Sequence, residues 1–230
     1  MLTILIPCYN EVKTIEKLIN KIINLKIKKQ VIIIDDGSTD GTLGVLKRNK
    51  KKINKLIIHK NNLGKGAAII SAQKHIHGKY VGIQDADLEY DPKDLIKIYN
   101  YIKKNKLDVV YGSRVLKKNK FENTKNFTHF IRIWANSFLT FVSNIINNQN
   151  LTDAHTCYKV FKTNIFKSIK LKEKGFAFCP EITTKISKLN YKINEIPISY
   201  NGRTYNEGKK ITSYDGLEAL YSLIRYRFFN

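Results

Sequence analysis

The most constraining feature of the sequence is an alternation of short β-rich runs with longer segments of helical periodicity. This pattern, which fills the first half of the chain, is typical of repeated strand–helix–strand units that build a mainly parallel sheet. We therefore expect an α/β fold. The predicted strands are Leu2–Ile6, Val31–Ile34, Lys55–His59, Lys79–Gln84 and Asp108–Tyr111, and the predicted helices are Val12–Ile23, Gly41–Lys50, Lys65–His75 and Pro92–Lys104.

After Arg114 the rhythm of the sequence changes. A polar stretch at 117–126 precedes a long amphipathic segment, Phe127–Ile146, and shorter mixed elements then lead to a predicted helix at Ser213–Phe228. We find no linker and no internal repeat in the 230 residues, a length that suits one large domain. We therefore predict a single domain over residues 1–230.

The charge of the chain is unusual, because it has 41 Lys and Arg residues but only 19 Asp and Glu residues, which gives a net charge of +22. Three explanations compete: nucleic-acid binding, attraction to anionic lipid, and a coding bias toward Lys, Asn and Ile. The basic residues are dispersed, with only short runs such as 47–52 and 117–120. A nucleic-acid surface would concentrate them or interleave aromatic residues. We favour coding bias with weak membrane attraction and expect no nucleic-acid partner.

The cysteines and the N-terminus bear on the compartment. Cys8, Cys157 and Cys179 show no CxxC spacing, so they predict neither a disulfide framework nor a zinc site. The sequence begins without a basic region and cleavage site, and no window offers the ~18–20 uncharged apolar residues of a membrane span. We expect a cytoplasmic protein that is soluble or peripheral to the inner face of the membrane.

Acidic residues, scarce in this chain, cluster where predicted strands end. Ligands of such sheets bind at the carboxyl ends of the strands. Asp85 and Asp87 can direct two carboxylates at one hard divalent cation, with Glu89 as a further ligand, and such a cation bridges diphosphate oxygens. The alternative is that Asp-x-Asp forms a simple turn. Asp35 and Asp36 follow the second strand, where they either bind a ligand or cap the following turn and helix.

Two common nucleotide-binding motifs are absent. The segment 62–67 resembles a phosphate loop, but it lacks the GxxxxGK sequence followed by Ser or Thr. The GxGxxG sequence of dinucleotide-binding folds is missing as well. These absences disfavour the common mononucleotide and dinucleotide folds.

A set of motifs nevertheless runs through the whole chain in a specific order. They are IPCYNE at 6–11, IIIDDGSTDGT at 32–42, NLGKGAA at 62–68, QDADLEYDP at 84–92, YGSR at 111–114, TDAHTCYKVF at 152–161, FCPEI at 178–182 and IPISYNGRTYNEGKKI at 196–211. In these motifs the chain resembles family 2 glycosyltransferases of the GT-A fold, a three-layer α/β/α sandwich. Within that family it is most similar to polyprenyl-phosphate sugar synthases of the dolichol-phosphate mannose synthase type.

The resemblance implies a role for each matching position. The donor would be a nucleotide-diphosphate sugar such as GDP-mannose or UDP-glucose, bound by residues 1–114, while residues 115–230 bind the acceptor. The residues around its base and ribose would be Pro7, Tyr9, Glu11, Ile34 and Asp36. Asp85 and Asp87 would hold Mg²⁺ or Mn²⁺ on the diphosphate, with Ala86 beside them and Glu89 where relatives usually have Gln. The residues that neutralise phosphate would be Arg114, Arg203 and Lys209.

The resemblance also implies an inverting transfer, in which the cation and the arginines stabilise the departing diphosphate. Asp87 and Arg114 would thus take part in catalysis. A polyprenyl phosphate acceptor is already nucleophilic at neutral pH, since its second pKa is near ~6. A sugar hydroxyl would instead need a carboxylate base. Asp153 and Glu181 are the candidates for that base, unless they are structural partners of Arg or Lys.

The acceptor side departs from the pattern of the relatives. Thr128 stands where the lipid-phosphate synthases have a basic residue, and Arg132 stands where they have serine. Either the phosphate contact has moved by one helical turn or the acceptor differs. The alternatives are a glycan-directed transferase, a GT-A-like nucleotidyltransferase, and a non-enzymatic basic module that binds RNA or lipid.

The last predicted helix carries an apolar stripe beside Arg225 and Arg227. The stripe consists of Leu217, Leu220, Tyr221, Ile224 and Phe228. It either packs on the core or forms an amphipathic helix at an anionic membrane surface, to which a membrane-anchored partner could also hold the protein.

Overall fold

The computed structural model describes residues 1–116, 127–203 and 213–229. The strands are β1 (Leu2–Cys8), β2 (Lys29–Asp35), β3 (Lys55–Ile58), β4 (Tyr80–Ile83), β5 (Val109–Ser113), β6 (Lys159–Lys162) and β7 (Ile193–Pro197). The helices are α1 (Ile15–Ile23), α2 (Thr42–Arg48), α3 (Lys65–Ala72), α4 (Pro92–Lys104), α5 (Phe127–Asn147), α6 (Thr163–Ser168), α7 (Phe178–Lys188) and α8 (Ser213–Phe228).

The seven strands form one sheet in the order β3-β2-β1-β4-β6-β5-β7. All pairings are parallel except those of β6, which runs antiparallel to both β4 and β5. The predicted mainly parallel α/β sheet is therefore confirmed. Because the strands share one direction, the residues that follow β1, β2, β4 and β5 meet at one edge.

The central strands are continuous apolar runs rather than alternating ones. In β1 and β2 nearly every residue is buried, because helices cover both faces of a parallel sheet. Helix α1 adds Ile15, Leu18, Ile19 and Ile22 to this core. It begins three residues later than the predicted Val12, which is exposed before the helix starts.

Helix α4 has the predicted bounds for a visible physical reason. The Asp91 carboxylate accepts a hydrogen bond from the Lys93 amide at 3.0 Å. Pro92 occupies the first helical position, where a missing amide hydrogen has no cost. Cap and proline together fix where the helix starts.

Helices α5 and α8 pack against each other and leave apolar residues exposed. The buried side of α8 consists of Ala219, Ser222, Leu223 and Tyr226. Four of the five residues of the predicted stripe face outward, since Leu217, Tyr221, Ile224 and Phe228 are 68, 64, 41 and 67% exposed, while Leu220 is half-buried. Packing of these four residues on the core is therefore wrong. Helix α5 exposes a stripe of the same spacing, formed by Trp134, Phe138, Phe141 and Ile145.

From the sequence no membrane-spanning segment is expected. Within 1–116, 127–203 and 213–229, no helix is long and apolar enough to cross a bilayer.

Candidate active site

The acidic residues that follow β4 lie at the centre of the site. Gln84 anchors this turn, because its side-chain oxygen accepts a hydrogen bond of 2.6 Å from the Tyr158 hydroxyl. Asp85 and Asp87 come next, with Ala86 buried between them. The three residues are thus held by the end of a buried strand.

Asp85 pairs with a lysine from another element. The Lys65 ammonium lies 2.6 Å from Oδ1 of Asp85, and both side chains are largely buried. Burial alone would lower the pKa of Lys65, but the charge of Asp85 outweighs it and raises this pKa well above the usual value. Lys65 therefore remains a cation, although no role at the site was predicted for it from its motif at 62–68.

The Asp87 carboxylate is buried close to two other carboxylates. Burial, and then repulsion from Asp85 and Glu89, raises the pKa of Asp87 to about 7. Its Oδ2 lies 3.2 Å from Nη2 of Arg203, and its Oδ1 accepts the amide hydrogen of Glu89. Asp87 is thus crowded by negative charge, which an added cation would relieve.

Arg203 links three acidic residues. Its guanidinium donates to both carboxylate oxygens of Glu11, at 3.2 and 3.0 Å, besides contacting Asp87. Its amide donates to Glu89 at 2.7 Å. The Nε atom of Arg203 is buried and has no hydrogen-bond partner within the described part of the chain. Oε1 of Glu89 lies 3.6 Å from this Nε atom, so the guanidinium is surrounded by the carboxylates of Glu11, Asp87 and Glu89.

Glu89 faces the segment that carries Arg203. Its carboxylate accepts a hydrogen bond of 2.7 Å from the Tyr200 hydroxyl, and its backbone oxygen accepts the Asn201 amide. These contacts differ from those expected of a metal ligand. In the structure Glu89 holds residues 200–203 beside the acidic turn.

Arg114, directly after β5, forms a buried ion pair with Asp153. Nε and Nη2 donate to the two carboxylate oxygens at 2.6 and 2.7 Å, and the Arg114 amide donates at 3.1 Å. The Asn136 amide group from α5 also contacts Asp153, and the Arg114 guanidinium lies over the Tyr200 ring at 5.1 Å. Burial would raise the pKa of Asp153, but Arg114 outweighs it and lowers that pKa.

Asp153 is positioned by a second carboxylate. Glu195 of β7 accepts hydrogen bonds from the Thr152 and Asp153 amides at 2.6 and 3.0 Å. Burial raises the pKa of Glu195. Asn136 and Glu195 were not found from the sequence, since each belongs to a distant element and no local pattern marks it; Tyr200 lies in the motif at 196–211, but no role was predicted for it.

The expected base and ribose contacts lie at the ends of β1 and β2. Pro7 and Ile34 are partners in the parallel pairing of these strands, and Tyr9 follows β1. The Asp36 carboxylate accepts the Leu63 and Gly64 amides at 3.0 and 2.8 Å. It also pairs with the His59 ring at 2.6 Å. Asp36 therefore holds the turn before α3.

The proposed capping of the following helix by Asp35 and Asp36 is wrong. The N-cap of α2 is Gly41, and Asp40 before it accepts hydrogen bonds of 3.0 and 2.6 Å from the amide and hydroxyl of Thr42. Asp35 is 1% exposed, and neither oxygen of its carboxylate has a hydrogen-bond partner among the described residues.

Glu181 lies in α7 with the contacts of a structural partner. Its carboxylate accepts the Lys172 and Glu173 amides at 2.7 and 2.9 Å and pairs with Lys185 at 2.6 Å. These contacts support the structural alternative rather than a catalytic base. Lys209 and the side chains of Thr128 and Arg132 lie outside the described part of the chain.

The donor set at the acidic turn suits a hard cation. Asp85 and Asp87 offer oxygen ligands, and Mg²⁺ is usually held by one or two carboxylates together with substrate phosphates and water. In the described ranges no group of three or more His, Cys, Asp or Glu side chains is arranged as a complete metal site. Asp85 and Asp87 therefore fit a cation whose remaining ligands are water or a diphosphate.

Comparison with known proteins gives consistent results. A family model described as "Glycosyl transferase family 2" matches residues 3–170. The chain is 28% identical, over 97% of its length and 95% of the relative, to UDP-N-acetylglucosamine–dolichyl-phosphate N-acetylglucosaminyltransferase of Methanococcus voltae. It is 25% identical, over 98% of its length and 72% of the relative, to dolichyl-phosphate beta-glucosyltransferase ALG5D of Trichomonas vaginalis.

A solved structure shares the fold. Glucosyl-3-phosphoglycerate synthase from Mycobacterium tuberculosis, in complex with Mn²⁺, UDP and glucosyl-3-phosphoglycerate, superposes with a TM-score of 0.73 at 13% identity. The match covers 99% of this chain and 80% of that one. At this identity the likeness concerns the chain path alone.

Proposed function

Because the chain belongs to glycosyl transferase family 2 and has the GT-A fold, as its motifs predicted, we propose that it transfers a hexose to a polyprenyl phosphate. The donor in this proposal is a nucleotide-diphosphate sugar, with mannose or glucose as the hexose. Two of the relatives are named as dolichyl-phosphate sugar transferases.

The donor is proposed to lie along the carboxyl edge of the sheet. Pro7, Tyr9, Ile34 and Asp36 would contact the base and ribose. Asp85 and Asp87 would hold Mg²⁺ or Mn²⁺, which when bound stabilises negative charge on the diphosphate. Arg203 would neutralise negative charge on the diphosphate.

The weak basicity of the candidate general bases is the observation on which the choice of a phosphate acceptor rests. Asp153 is fixed on Arg114 and has a lowered pKa, which makes it a weak proton acceptor. Glu181 is occupied by two amides and Lys185. Burial and then Lys159 lower the pKa of His155 to about 4, so this ring is also a weak base. An acceptor that is already ionised, such as a phosphate monoester, needs none of them.

The paired helices support an acceptor that lies in a membrane. The α5–α8 face is defined by Trp134, Phe138, Phe141, Ile145, Leu217, Tyr221, Ile224 and Phe228. Exposed aromatic and aliphatic residues of this kind, on a chain with a charge of +22, suit the interface of an anionic bilayer. We propose that this face rests on the inner leaflet and brings the site to the lipid phosphate.

The test is a transfer assay with labelled donors. GDP-mannose, UDP-glucose and UDP-N-acetylglucosamine are each incubated with the protein, Mg²⁺ or Mn²⁺, and polyprenyl phosphate. We expect label in the organic phase with one of the two hexose donors, and none with Asp87→Asn. Lipid labelling with UDP-N-acetylglucosamine alone would correct the sugar. Label confined to a water-soluble fraction would support the glycan-directed alternative, and absence of transfer would contradict the proposal.

A further inference from the structure

Lys65 is held near the acidic turn by an unusually constrained backbone. The Asp36 carboxylate accepts hydrogen bonds from the amides of the two residues before Lys65. The Ala67 amide donates to the Lys174 carbonyl at 3.1 Å. A Cβ atom on Gly64 would lie 2.4 Å from the Lys174 oxygen, and one on Gly66 would lie 2.0 Å from the Glu173 oxygen. The first turn of α3 therefore sits directly against the backbone of residues 173–174.

That backbone is itself fixed by Glu181. The buried carboxylate accepts the amides of Lys172 and Glu173, and Lys185 offsets its charge. A continuous chain of contacts therefore runs from α7 through residues 172–174 to the first turn of α3, and from there to Asp85.

We propose that Lys65 is a positioning residue that orients the Asp85 carboxylate for the divalent cation, with Glu181 supporting the helix that carries it. The inference rests on the proposed function for its cation. A carboxylate offers about four acceptor positions, so the Lys65 ammonium and the Cys157 thiol leave others for the metal. Groups that orient metal ligands typically contribute 10–100-fold to metal affinity or activity.

Charge and position predict opposite results for this lysine. By Coulomb's law, removal of a positive charge beside Asp85 strengthens cation binding. Loss of orientation weakens it. The affinity for metal therefore separates a positioning role from simple charge compensation.

The experiment measures Mn²⁺ binding to the whole protein, without donor, by the EPR signal of free Mn²⁺. We expect Lys65→Met to bind Mn²⁺ about 10–100-fold more weakly and to need correspondingly more metal for half-maximal turnover. Lys65→Arg should recover part of the affinity. Lys97→Met is the matched control, because Lys97 also pairs with a buried aspartate, Asp94, at 2.5 Å, but its own side chain is 64% exposed.

Unchanged or tighter Mn²⁺ binding by Lys65→Met would overturn the inference. If that variant shows no thermal unfolding transition, Glu181→Gln decides, because it leaves Lys65 in place. Weaker Mn²⁺ binding by Glu181→Gln supports the positioning chain, and unchanged binding contradicts it. The Mn²⁺ measurement needs neither donor nor acceptor. Its result therefore does not depend on whether the transfer assay succeeds.

Discussion

Arg203→Gln should tighten the binding of a divalent cation to the nucleotide-free protein. In the structure Arg203 occupies one oxygen of Asp87 at 3.2 Å while holding Glu11 with two hydrogen bonds. A cation that binds Oδ2 of Asp87 competes with the first contact and is repelled by the guanidinium charge, whereas the Glu11 contacts can persist. Removal of the guanidinium abolishes this competition.

The size of the effect follows from the contact that is lost. A hydrogen bond between charged groups contributes about 1.5–3 kcal/mol, which corresponds to roughly 10–100-fold in affinity. The Arg203 side chain is 20% exposed and that of Asp87 is 17% exposed, so solvent screening favours the lower end. We expect the dissociation constant for Mn²⁺ to fall about tenfold, while the donor binds more weakly because a phosphate contact is gone.

The assay is again Mn²⁺ titration followed by EPR, with calorimetric titration of the nucleotide diphosphate as the second measurement. Arg225→Gln is the control, because it removes the same charge from a partly exposed position on α8. The two variants have the same net charge, so a general change in electrostatic attraction affects both. Equal or weaker Mn²⁺ binding by Arg203→Gln, relative to this control, would refute the competition.

Three further outcomes are expected. Because the folded pKa of Asp87 is about 7 and its ordinary value is 3.8, the metal-free protein should lose stability as pH rises from about 4 to 7. Asp87→Asn should flatten that dependence, by at most about 4 kcal/mol, and unchanged melting curves would count against the shift. Trp134→Ser should weaken sedimentation with anionic vesicles several-fold. The control Ile58→Ser, which removes an exposed apolar residue from β3, should not weaken it. Equal losses would argue against membrane binding through the α5–α8 face. Gly66→Ala should lower the unfolding free energy by about 1–3 kcal/mol through overpacking. Gly216→Ala in α8, where a Cβ meets no atom within 4 Å, should instead raise it by up to about 1 kcal/mol. Equal effects of the two variants in thermal unfolding would contradict the close packing at α3.

The sequence predicted the elements whose signals are local. β1 and β2 are buried on both faces, so their apolar runs identify both strands, although each strand extends two residues or less beyond either predicted end. β6, at Lys159–Lys162, escaped prediction because it lies beyond the first half of the chain, where the strand–helix alternation ends, and because its pairing between β4 and β5 reverses the direction of the sheet. Nothing in its own residues indicates that reversal.

The site was predicted where strand ends place polar residues together, and missed where it depends on distant contacts. Asp85 and Asp87 could be found because they follow a buried strand. Lys65 lies twenty positions earlier in the chain, and only the fold brings its ammonium to Asp85. Glu181 was a candidate base because its carboxylate was visible in the sequence, whereas the amides of residues 172 and 173 that occupy it were not.

The charges at the site explain why a strongly basic chain would need a cation to bind a diphosphate. Every site cation in the described residues already has an acidic partner: Lys65 has Asp85, Arg114 has Asp153, and Arg203 has Glu11 and Asp87. Glu89 adds a further carboxylate beside Arg203. The local balance is therefore negative although the chain carries +22. An incoming diphosphate would meet repulsion there, which a divalent cation at Asp85 and Asp87 removes, and the surplus positive charge elsewhere is left for an anionic surface.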